Sequence, residues 1–468
     1  KYPATNLPYG PPFFAVLFAA AFSIFGISFP TARLIIIMYT ACAALMCWYL
    51  IYKLEKNYWV AALAVSALLF NPLTGIYSRD ITPELAVAFY SFLTMYLFYN
   101  YVEYEKKYFG IYATLAFSLG YLTKPYIIPL GIALSLYIII RRKWDILVKR
   151  ETTISILILF VLIVPYTMLA FKYAHNELGP RIKPPVDLNI ILAYPKIAIS
   201  NLPILSLGAI VGFTIGIAKR NKLTLLCLLW VICCYVLFTF PLRIVQDEKY
   251  FFSFVPALVL PFAITSYTII LALRKIHLDK AVIAALIFFF LHSCLTAPFY
   301  YIRGYEKGGE YIAQNHRGRS VLYYGNYDGS FMMGIRRYKP KDGPFVLRGD
   351  RQLAIRVSYG NAKQSVVVKS PQDIMDLLSK YRAGHVVVER NMPIPKAYRD
   401  YREYLILKET LKDGDYFYEV ARFPIETNYS YLGNELVIYR FNFHDDLNKA
   451  ELLEIPVPTL KKDLKVSF

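Results

Sequence analysis

Cysteine is scarce in this sequence of 468 residues, and none of its six cysteines lies beyond residue 300. The six are Cys42, Cys47, Cys227, Cys233, Cys234 and Cys294. All of them stand inside apolar runs, where cysteine acts as a small hydrophobic residue. The histidines of the C-terminal part, His316, His385 and His444, lack the spacing of metal ligands. We therefore predict no disulfide framework and no zinc site, and we assign no metal ligands.

Acidic residues are too few to balance the basic ones: 33 Asp and Glu stand against 52 Lys and Arg, a net charge of +19. A nucleic-acid-binding protein gathers such charge on one folded face. Here many basic residues lie in short loops between apolar runs, as in the cytoplasmic loops of membrane proteins. The chain is 57% hydrophobic, with a mean hydropathy of +0.39, and the apolar runs fall within residues 11–300. These features predict a membrane protein with no nucleic-acid partner.

Apolar runs of roughly the length that crosses a membrane as a helix, about 20 residues, recur ten times. They cover residues 30–54, 58–72, 83–102, 108–122, 125–140, 152–172, 201–218, 222–240, 250–273 and 280–299. The two runs beside Lys124-Pro125 fit either one long broken helix or a tight hairpin, and the proline favours the hairpin. Residues 12–25 are apolar but short, which favours a helix at the membrane surface. The predicted fold is a polytopic α-helical membrane protein.

Every second loop of this ten-span arrangement is short and basic. The basic loops lie around residues 53–56, 106–107, 141–150, 219–222 and 274–280. The positive-inside rule places them in the cytoplasm, and the other loops and everything after residue 300 on the outer side. We predict a multi-pass protein of the plasma or inner membrane. The long connection 173–200 is predicted to cover a cavity at the outer face.

Charged residues that orientation alone does not explain lie in the outer loops. Asp80 and Glu84 flank the start of a helix, where carboxylates either cap the helix or accept a proton from a hydroxyl or an amine. The basic residues at the same level are Arg79, Lys124, Arg243 and Lys249. A lysine such as Lys124, between two apolar runs, either reaches the headgroup region or serves a function. We predict that Arg79, Lys124 and Lys249 converge on one cavity that holds a lipid phosphate.

Four segments, in order along the chain, are similar to those of a known family. They are Tyr9-Gly-Pro-Pro-Phe-Phe14 with Ala32-Arg33-Leu34, Ser78-Arg79 with Glu84, Gly120-Tyr-Leu-Thr-Lys-Pro125, and Lys249-Tyr250 with Pro256. Over about residues 1–300 the chain resembles the GT-C superfamily of integral-membrane glycosyltransferases. The similar branch contains the protein O-mannosyltransferases and the lipid A aminoarabinose transferase.

The resemblance implies a transferase that takes a sugar from a polyprenyl-phosphate-linked donor and passes it, with inversion, to a lipid, glycan or protein acceptor. Glu84 or Asp80 would deprotonate the acceptor. The residues implied to hold the lipid phosphate are Arg79, Lys124, Arg243, Lys249 and Tyr250. A divalent cation is left open as a cofactor. The family carries an Asp or Asp-Glu in its first outer loop, and residues 1–10 lack it, so we expect that residue and the first span upstream of Lys1.

Residues 301–468 alternate between predicted strands and helices, which indicates a soluble α/β domain on the outer side, following a transmembrane domain of residues 1–300. Strands are predicted at 320–324, 364–368, 385–389, 416–422 and 435–441, and helices at 371–381 and near 397–407. The segment Gly325-Asn-Tyr-Asp-Gly329 follows a strand and resembles a ligand-binding turn, although a simple tight turn is favoured.

Two further functions remain open at the level of sequence. A transporter or flippase is one, but such proteins often carry internal repeats and charges near the middle of the membrane, and this chain shows neither. A catalytically silent subunit of a larger membrane complex is the other, because the family's first acidic residue is missing from the sequence.

Overall fold

The computed structural model describes residues 12–178, 186–242, 248–297, 301–317, 320–355, 365–391, 402–429, 432–442, 453–457 and 462–466. The part before residue 298 is helical. Its helices are α1 (Pro12–Phe25), α2 (Phe29–Glu55), α3 (Tyr58–Leu69), α4 (Pro72–Tyr77), α5 (Glu84–Tyr104), α6 (Lys107–Thr123), α7 (Ile128–Ile140), α8 (Arg150–Leu178), α9 (Leu188–Asn201), α10 (Pro203–Ala218), α11 (Lys222–Thr239), α12 (Glu248–Phe251), α13 (Val255–Arg274) and α14 (Asp279–Thr296).

Each of the ten predicted apolar runs corresponds to one of these helices. Within the described residues, six helices are long and apolar enough to cross a membrane alone: α2, α5, α8, α11, α13 together with α12, and α14. Helices α9 and α10 pass the same test as a pair but are bent by 111° at Leu202. Since α3 and α7 are shorter, the number of spans stays a prediction.

The connection 173–200 is not the long loop that the sequence predicts. Helix α8 continues to Leu178 and α9 begins at Leu188, and residues 179–185 lie outside the described part of the chain. Asp187 caps α9 by accepting a hydrogen bond from the backbone N–H of Ile190 at 2.9 Å. Tyr194 of α9 packs against Phe254, with ring centroids 5.3 Å apart. A covering role for this segment stays a prediction.

Helices α5 and α6 approach each other closely because glycine occupies the point of contact. A Cβ atom at Gly120 would lie 2.9 Å from the Cβ of Tyr90 and 2.6 Å from a methyl of Ile127, closer than atoms can pack. The hydrogen of glycine at this position lets the two helices meet without a gap. The close approach brings the end of α6, and Lys124 beyond it, to the first turn of α5.

A buried carboxylate ties three helices together at the other end of α5. The Glu103 side chain is 3% exposed and accepts hydrogen bonds from Tyr137 of α7 at 2.7 Å, from Arg141 at 3.2 Å and from Lys222 of α11 at 2.5 Å. We call these four residues the Glu103 clasp. Charge-assisted hydrogen bonds of this kind are stronger than neutral ones, so the clasp fixes α5, α7 and α11 relative to one another.

Replacing Glu103 by alanine is expected to destabilise the helical part by about 2 kcal/mol, since it leaves the fully buried hydroxyl of Tyr137 without its acceptor and two cations without their counter-charge. The half-exposed Lys222 recovers part of its solvation, which limits the loss. Thermal unfolding in detergent measures the effect. Glu105→Ala is the matched control, because Glu105 is 61% exposed and its ion pair with Lys149 is long, at 3.7 Å. Equal melting temperatures for the two variants would contradict the prediction.

The part after residue 300 is built on a mixed five-stranded sheet. Its elements are β1 (Ile302–Arg303), α15 (Tyr305–Asn315), β2 (Ser320–Tyr324), α16 (Asp328–Tyr338), β3 (Phe345–Arg348), α17 (Gly349–Gln352), β4 (Ala354–Ile355), β5 (Ser365–Val366), α18 (Pro371–Lys380), β6 (Ala383–Arg390), α19 (Arg402–Thr410), β7 (Phe417–Pro424), β8 (Glu426–Thr427), β9 (Glu435–Phe441), β10 (Leu453–Val457) and β11 (Lys462–Val466). The strand order is β3-β2-β6-β9-β7, with β3, β2 and β6 parallel. Strands and helices alternate here, and the sequence pattern missed several of them, including α15, α16, β3, β10 and β11.

Helices cover both faces of this sheet. The side chains of α15 and α16 pack on one face, against Val321 and Val387, and those of α18 and α19 pack on the other, against Leu322 and Val386. The chain runs from β2 to β3 on one side and returns to β6 on the other. The carboxyl ends of β2 and β6 therefore form a topological switch point, the place where open α/β sheets usually bind ligands.

A side chain of the protein fills that switch point. Glu389, at the end of β6, is fully buried. Its carboxylate accepts hydrogen bonds from the Tyr305 hydroxyl at 2.8 Å and from the backbone N–H groups of Asn326 and Gly433 at 2.8 and 2.6 Å. The Asn326 side-chain amide adds another at 3.1 Å. The Gly325–Gly329 segment is thus a turn that closes on Glu389.

His385 on β6 makes the stability of this sheet depend on pH. The side chain is 2% exposed, and burial lowers its pKa to about 4, helped by the nearby charges of His316 and Arg317. A histidine with a depressed folded pKa stabilises the fold above its unfolded pKa near 6.5, and this contribution is lost as the pH falls towards 4. We expect the sheet to lose about 2 kcal/mol between pH 7 and pH 5.

Hydrogen exchange of peptide 383–390 in the full chain, corrected for intrinsic rates, measures this loss. Glutamine at position 385 cannot take up the proton, so His385→Gln should exchange with little pH dependence over this range. Wild-type protection that does not change between pH 7 and pH 5 would show that protonation of His385 does not affect the stability of the sheet.

Candidate functional site

The first turn of α5 carries a buried carboxylate that pairs with a lysine from the neighbouring hairpin. Glu84 is 4% exposed, and its Oε1 accepts a hydrogen bond from the Lys124 ammonium, which is 15% exposed. Lys124 has extended backbone between α6 and a 3₁₀ turn at Pro125–Ile127, because proline cannot continue α6. The second oxygen of Glu84, Oε2, is buried and has no hydrogen-bond partner among the described residues. A buried acceptor left in this state is available to a ligand.

Two tyrosine rings connect Lys124 to a second lysine. The Lys124 ammonium lies 4.4 Å from the centre of the Tyr126 ring, and that ring lies 4.6 Å from the ring of Tyr250. The Lys249 ammonium in turn lies 5.3 Å from the centre of the Tyr250 ring. Each ring stabilises the positive charge beside it through its electron-rich face. The two lysines, from different parts of the chain, therefore belong to one aromatic-lined site.

The cavity between them offers about 270 Å³ of empty space, part of it open to solvent. We call it the Glu84 cavity. It is lined by Glu84, Val87, Ala88, Ser91, Lys124, Tyr126, Lys249, Phe252, Ser253 and Pro256. Two helical faces supply most of this lining, at positions i, i+3, i+4 and i+7 from Glu84 and from Lys249, which is the spacing of one side of a helix. This periodicity is the signal that would have identified Ser91 and Ser253, which the sequence analysis missed.

Asp80 lies in the turn before α5, beside Glu84 and Arg33. Although Asp80 is exposed, its pKa is raised above the ordinary value, first because nearby protein atoms displace part of the water around its carboxylate and then because the Glu84 carboxylate repels its charge. The Arg33 guanidinium opposes both effects. A carboxylate with a raised pKa is a stronger proton acceptor than an ordinary one. Arg33 enters the sequence analysis only as part of a motif, although it stands near the N-terminal end of α2, far from the basic residues Lys53 and Lys56 at its other end.

The remaining predicted residues lie elsewhere or outside the described chain. Tyr250 is buried behind the cavity and supports Lys249. Arg79 lies in the same turn as Asp80, but it acts electrostatically on Cys294 of α14 and is not among the residues that line the Glu84 cavity. Arg243 lies in the segment 243–247, which is outside the described residues. The structure thus brings Lys124 and Lys249 together with Glu84 in one cavity, and the convergence of Arg79 on it stays a prediction.

The charges that line the Glu84 cavity determine what it can bind. Two ammonium groups face one carboxylate, so the lining has a net positive charge, and such a cavity between helices attracts an anion such as a phosphate. The aromatic rings and apolar side chains around it suit a lipid or a sugar ring. In the part of the chain that is described, no three His, Cys, Asp or Glu side chains are placed to hold a metal ion.

One protein-family profile matches part of this chain. Residues 9–169 match the sequence profile of the family described as dolichyl-phosphate-mannose-protein mannosyltransferase. The search of curated proteins found no match to this sequence.

Among solved structures, the chain is similar to ArnT from Cupriavidus metallidurans in the apo state, with a TM-score of 0.62 and 15% identity over 94% of this chain and 89% of ArnT. The same enzyme bound to undecaprenyl phosphate gives a TM-score of 0.59 and 13% identity with the same coverage. An oligosaccharyltransferase from Archaeoglobus fulgidus, solved with zinc and sulfate, gives a TM-score of 0.53 and 14% identity over 88% of this chain and 63% of that protein. The chain is an integral membrane protein with the fold of the GT-C glycosyltransferases, and the resemblance inferred from its motifs is confirmed.

Proposed function

We propose that this protein transfers a sugar from a polyprenyl-phosphate-linked donor to a lipid, glycan or protein acceptor at the outer face of a cell membrane. The observation that carries the proposal is the Glu84 cavity, in which two lysines face one carboxylate whose second oxygen has no hydrogen-bond partner among the described residues. Undecaprenyl phosphate bound to a protein of the same fold supports a donor of this class.

The roles of the residues follow from their charges. Lys124 and Lys249 would hold the donor's phosphate and stabilise the negative charge that develops on it as the bond to the sugar breaks. A phosphate that engages Lys124 draws this lysine away from Glu84. Glu84 is then free to accept the proton of the acceptor hydroxyl or amine, whose oxygen or nitrogen attacks the anomeric carbon. The new bond to the sugar forms on the face opposite the leaving phosphate, so the configuration inverts.

The outer placement rests on the charges at the two ends of the helical bundle. The Glu84 cavity lies at one end of α5, and the Glu103 clasp lies at the other. Basic loop residues such as Lys53, Lys106 and Arg142 belong to the clasp end, which the positive-inside rule assigns to the cytoplasm. Residues 301–468 would then form an extracytoplasmic domain after a transmembrane domain of residues 1–300.

Binding of undecaprenyl phosphate and of undecaprenol by the purified protein in nanodiscs tests the phosphate site. Native mass spectrometry should show retention of the phosphate-bearing lipid at least about tenfold above the alcohol, because only the former engages both lysines. Lys249→Met should reduce that preference, whereas Lys275→Met, an exposed lysine at the other end of α13, should not. Equal retention of the two lipids by the wild type would refute a phosphate site.

Slow cleavage of the donor separates a transferase from a transporter. Glycosyltransferases supplied with a donor and no acceptor commonly pass the sugar to water, so polyprenyl-phosphate sugars of several kinds, offered one at a time, should yield free sugar with at least one of them. A transporter would move the same lipid between leaflets and leave the bond to the sugar intact. Flipping without cleavage of any donor would favour the transporter.

A further inference from the structure

A second cavity lies at the opposite end of the helical bundle from Glu84. It is formed where the last turn of α2 meets the first turns of α11 and the middle of α13, and Glu55, Asn221, Thr224 and Pro261 are among its lining residues. It offers about 290 Å³ of empty space, part of it open to solvent. We call it the Glu55 cavity. Arg33, which lies beside Asp80, and Glu55 stand near opposite ends of α2, and the helix rises roughly 30 Å between them. The two cavities therefore lie about one hydrocarbon thickness apart.

Two polar side chains of the Glu55 cavity have no hydrogen-bond partner among the described residues. The hydroxyl of Thr224 is buried, in a residue that is 1% exposed, and it has no partner among the described residues. Glycine at position 216 makes room for this hydroxyl, since a Cβ atom there would lie 2.3 Å from Thr224 Oγ1. Glu55 is half-buried and accepts no hydrogen bond from the residues that the structure describes. Burial of the Thr224 hydroxyl is costly unless something else satisfies it, and the partly exposed Glu55 carboxylate beside it can accept from the same ligand.

The charges around the Glu55 cavity are of both signs. Glu55 supplies a carboxylate at the cavity wall, and Lys219 lies close enough to act on it electrostatically. Arg220 and Lys222 extend the basic character of the same loop. The rest of the wall, including Ile51 and Ile264, is apolar. A ligand that fits must carry a cation for Glu55, an anion for the basic loop and an apolar part for the wall.

We propose that the Glu55 cavity binds the headgroup of a phospholipid that bears a primary amine, from the leaflet opposite the Glu84 cavity. Its ammonium group has three N–H donors, enough to satisfy both the Glu55 carboxylate and the Thr224 hydroxyl. Its phosphate faces Lys219, and an acyl chain lies on the apolar wall. A trimethylated amine carries the same charge but has no N–H to donate. The Glu55 carboxylate and the Thr224 hydroxyl therefore favour a lipid with a primary amine over one with a trimethylated amine.

Retention of matched lipids tests this site separately from catalysis. The full chain is reconstituted with equal amounts of phosphatidylethanolamine and phosphatidylcholine of identical acyl chains, and the lipids that stay bound are counted by native mass spectrometry. The wild type should retain the ethanolamine lipid about tenfold over the choline lipid. Glu55→Gln and Thr224→Val should each bring the ratio close to one, and Glu105→Gln, an exposed carboxylate at the same end of the bundle, should leave it unchanged.

The remaining outcomes decide against the proposal. A wild-type ratio near one, an unchanged ratio in either cavity variant, or an equal loss in Glu105→Gln would each overturn it. Thr224→Val keeps the shape of the side chain. If the Glu55→Gln variant fails to insert into the membrane, the lipid ratio of Thr224→Val tests the proposal by itself. Excess soluble phosphoethanolamine should not displace the lipid, because it lacks the acyl chain; displacement would overturn the assignment to a membrane lipid.

Discussion

Glu84→Gln is expected to lower sugar transfer by about 10²- to 10⁴-fold, the usual contribution of a general base. Glutamine keeps the size of the side chain and its hydrogen bond to Lys124 but cannot accept the acceptor's proton. The variant should still bind undecaprenyl phosphate as well as the wild type or better, since Lys124 no longer has to leave a carboxylate. Single-turnover transfer together with lipid retention therefore separates a chemical defect from a folding defect.

Asp80→Asn is the matched control, because Asp80 lies one turn away and also acts electrostatically on Glu84. It is expected to lower transfer by less than about tenfold if Glu84 is the proton acceptor. The reverse result, with Asp80→Asn inactive and Glu84→Gln active, would assign the base to Asp80 instead. Normal activity in both variants would show that neither Glu84 nor Asp80 accepts the proton.

Lys124→Met is expected to lower transfer by about 10²- to 10³-fold and to weaken retention of undecaprenyl phosphate, since the developing charge on the phosphate loses one of its two cations. The change also leaves the buried Glu84 carboxylate without a counter-charge, which costs about 3 kcal/mol of stability. Both readouts are needed: transfer measured against the amount of folded protein, and thermal unfolding of the same preparation.

The double variant Lys124→Met/Glu84→Gln distinguishes the two effects. Removing the uncompensated charge should restore thermal stability and leave transfer abolished, because binding and proton transfer are both lost. Lys106→Met serves as the control for lysine at the other end of α6, where the side chain is exposed and lies over Phe109. Full transfer by a stable Lys124→Met variant would show that Lys124 serves structure alone.

The helices could be predicted from the sequence because apolar runs of this length fold in only one way in a membrane. The strand at Glu435–Phe441 was likewise placed correctly, since its alternation and flanking turns are local signals. Helices α15 and α16 were missed because glycines at 308, 309, 329 and 334 interrupt their pattern. Gly309 and Gly334 are tolerated for a reason that lies outside the local sequence, since a Cβ at either would strike the backbone of the partner helix.

The site was predictable in part for the same reason. Glu84, Lys124 and Lys249 stand out as charges at the ends of apolar runs, so a linear pattern locates them. The contact of Tyr126 with Tyr250 joins residues more than a hundred positions apart, and nothing local encodes it. Arg79 looks equivalent to the lysines along the sequence, but the direction of a side chain from a turn depends on packing against α14, which the sequence does not specify.

Glu389 occupies the point of the C-terminal sheet at which a ligand would usually bind. In many doubly wound sheets, the backbone N–H groups at the switch point receive the phosphates of a nucleotide. Here the N–H groups of Asn326 and Gly433 are already donated to a carboxylate that belongs to the chain. The chain's own carboxylate therefore engages the N–H groups at this switch point. The phosphates of a nucleotide-linked sugar would have to displace Glu389 in order to bind at this point. A lipid-linked sugar donor does not require a phosphate site in this sheet.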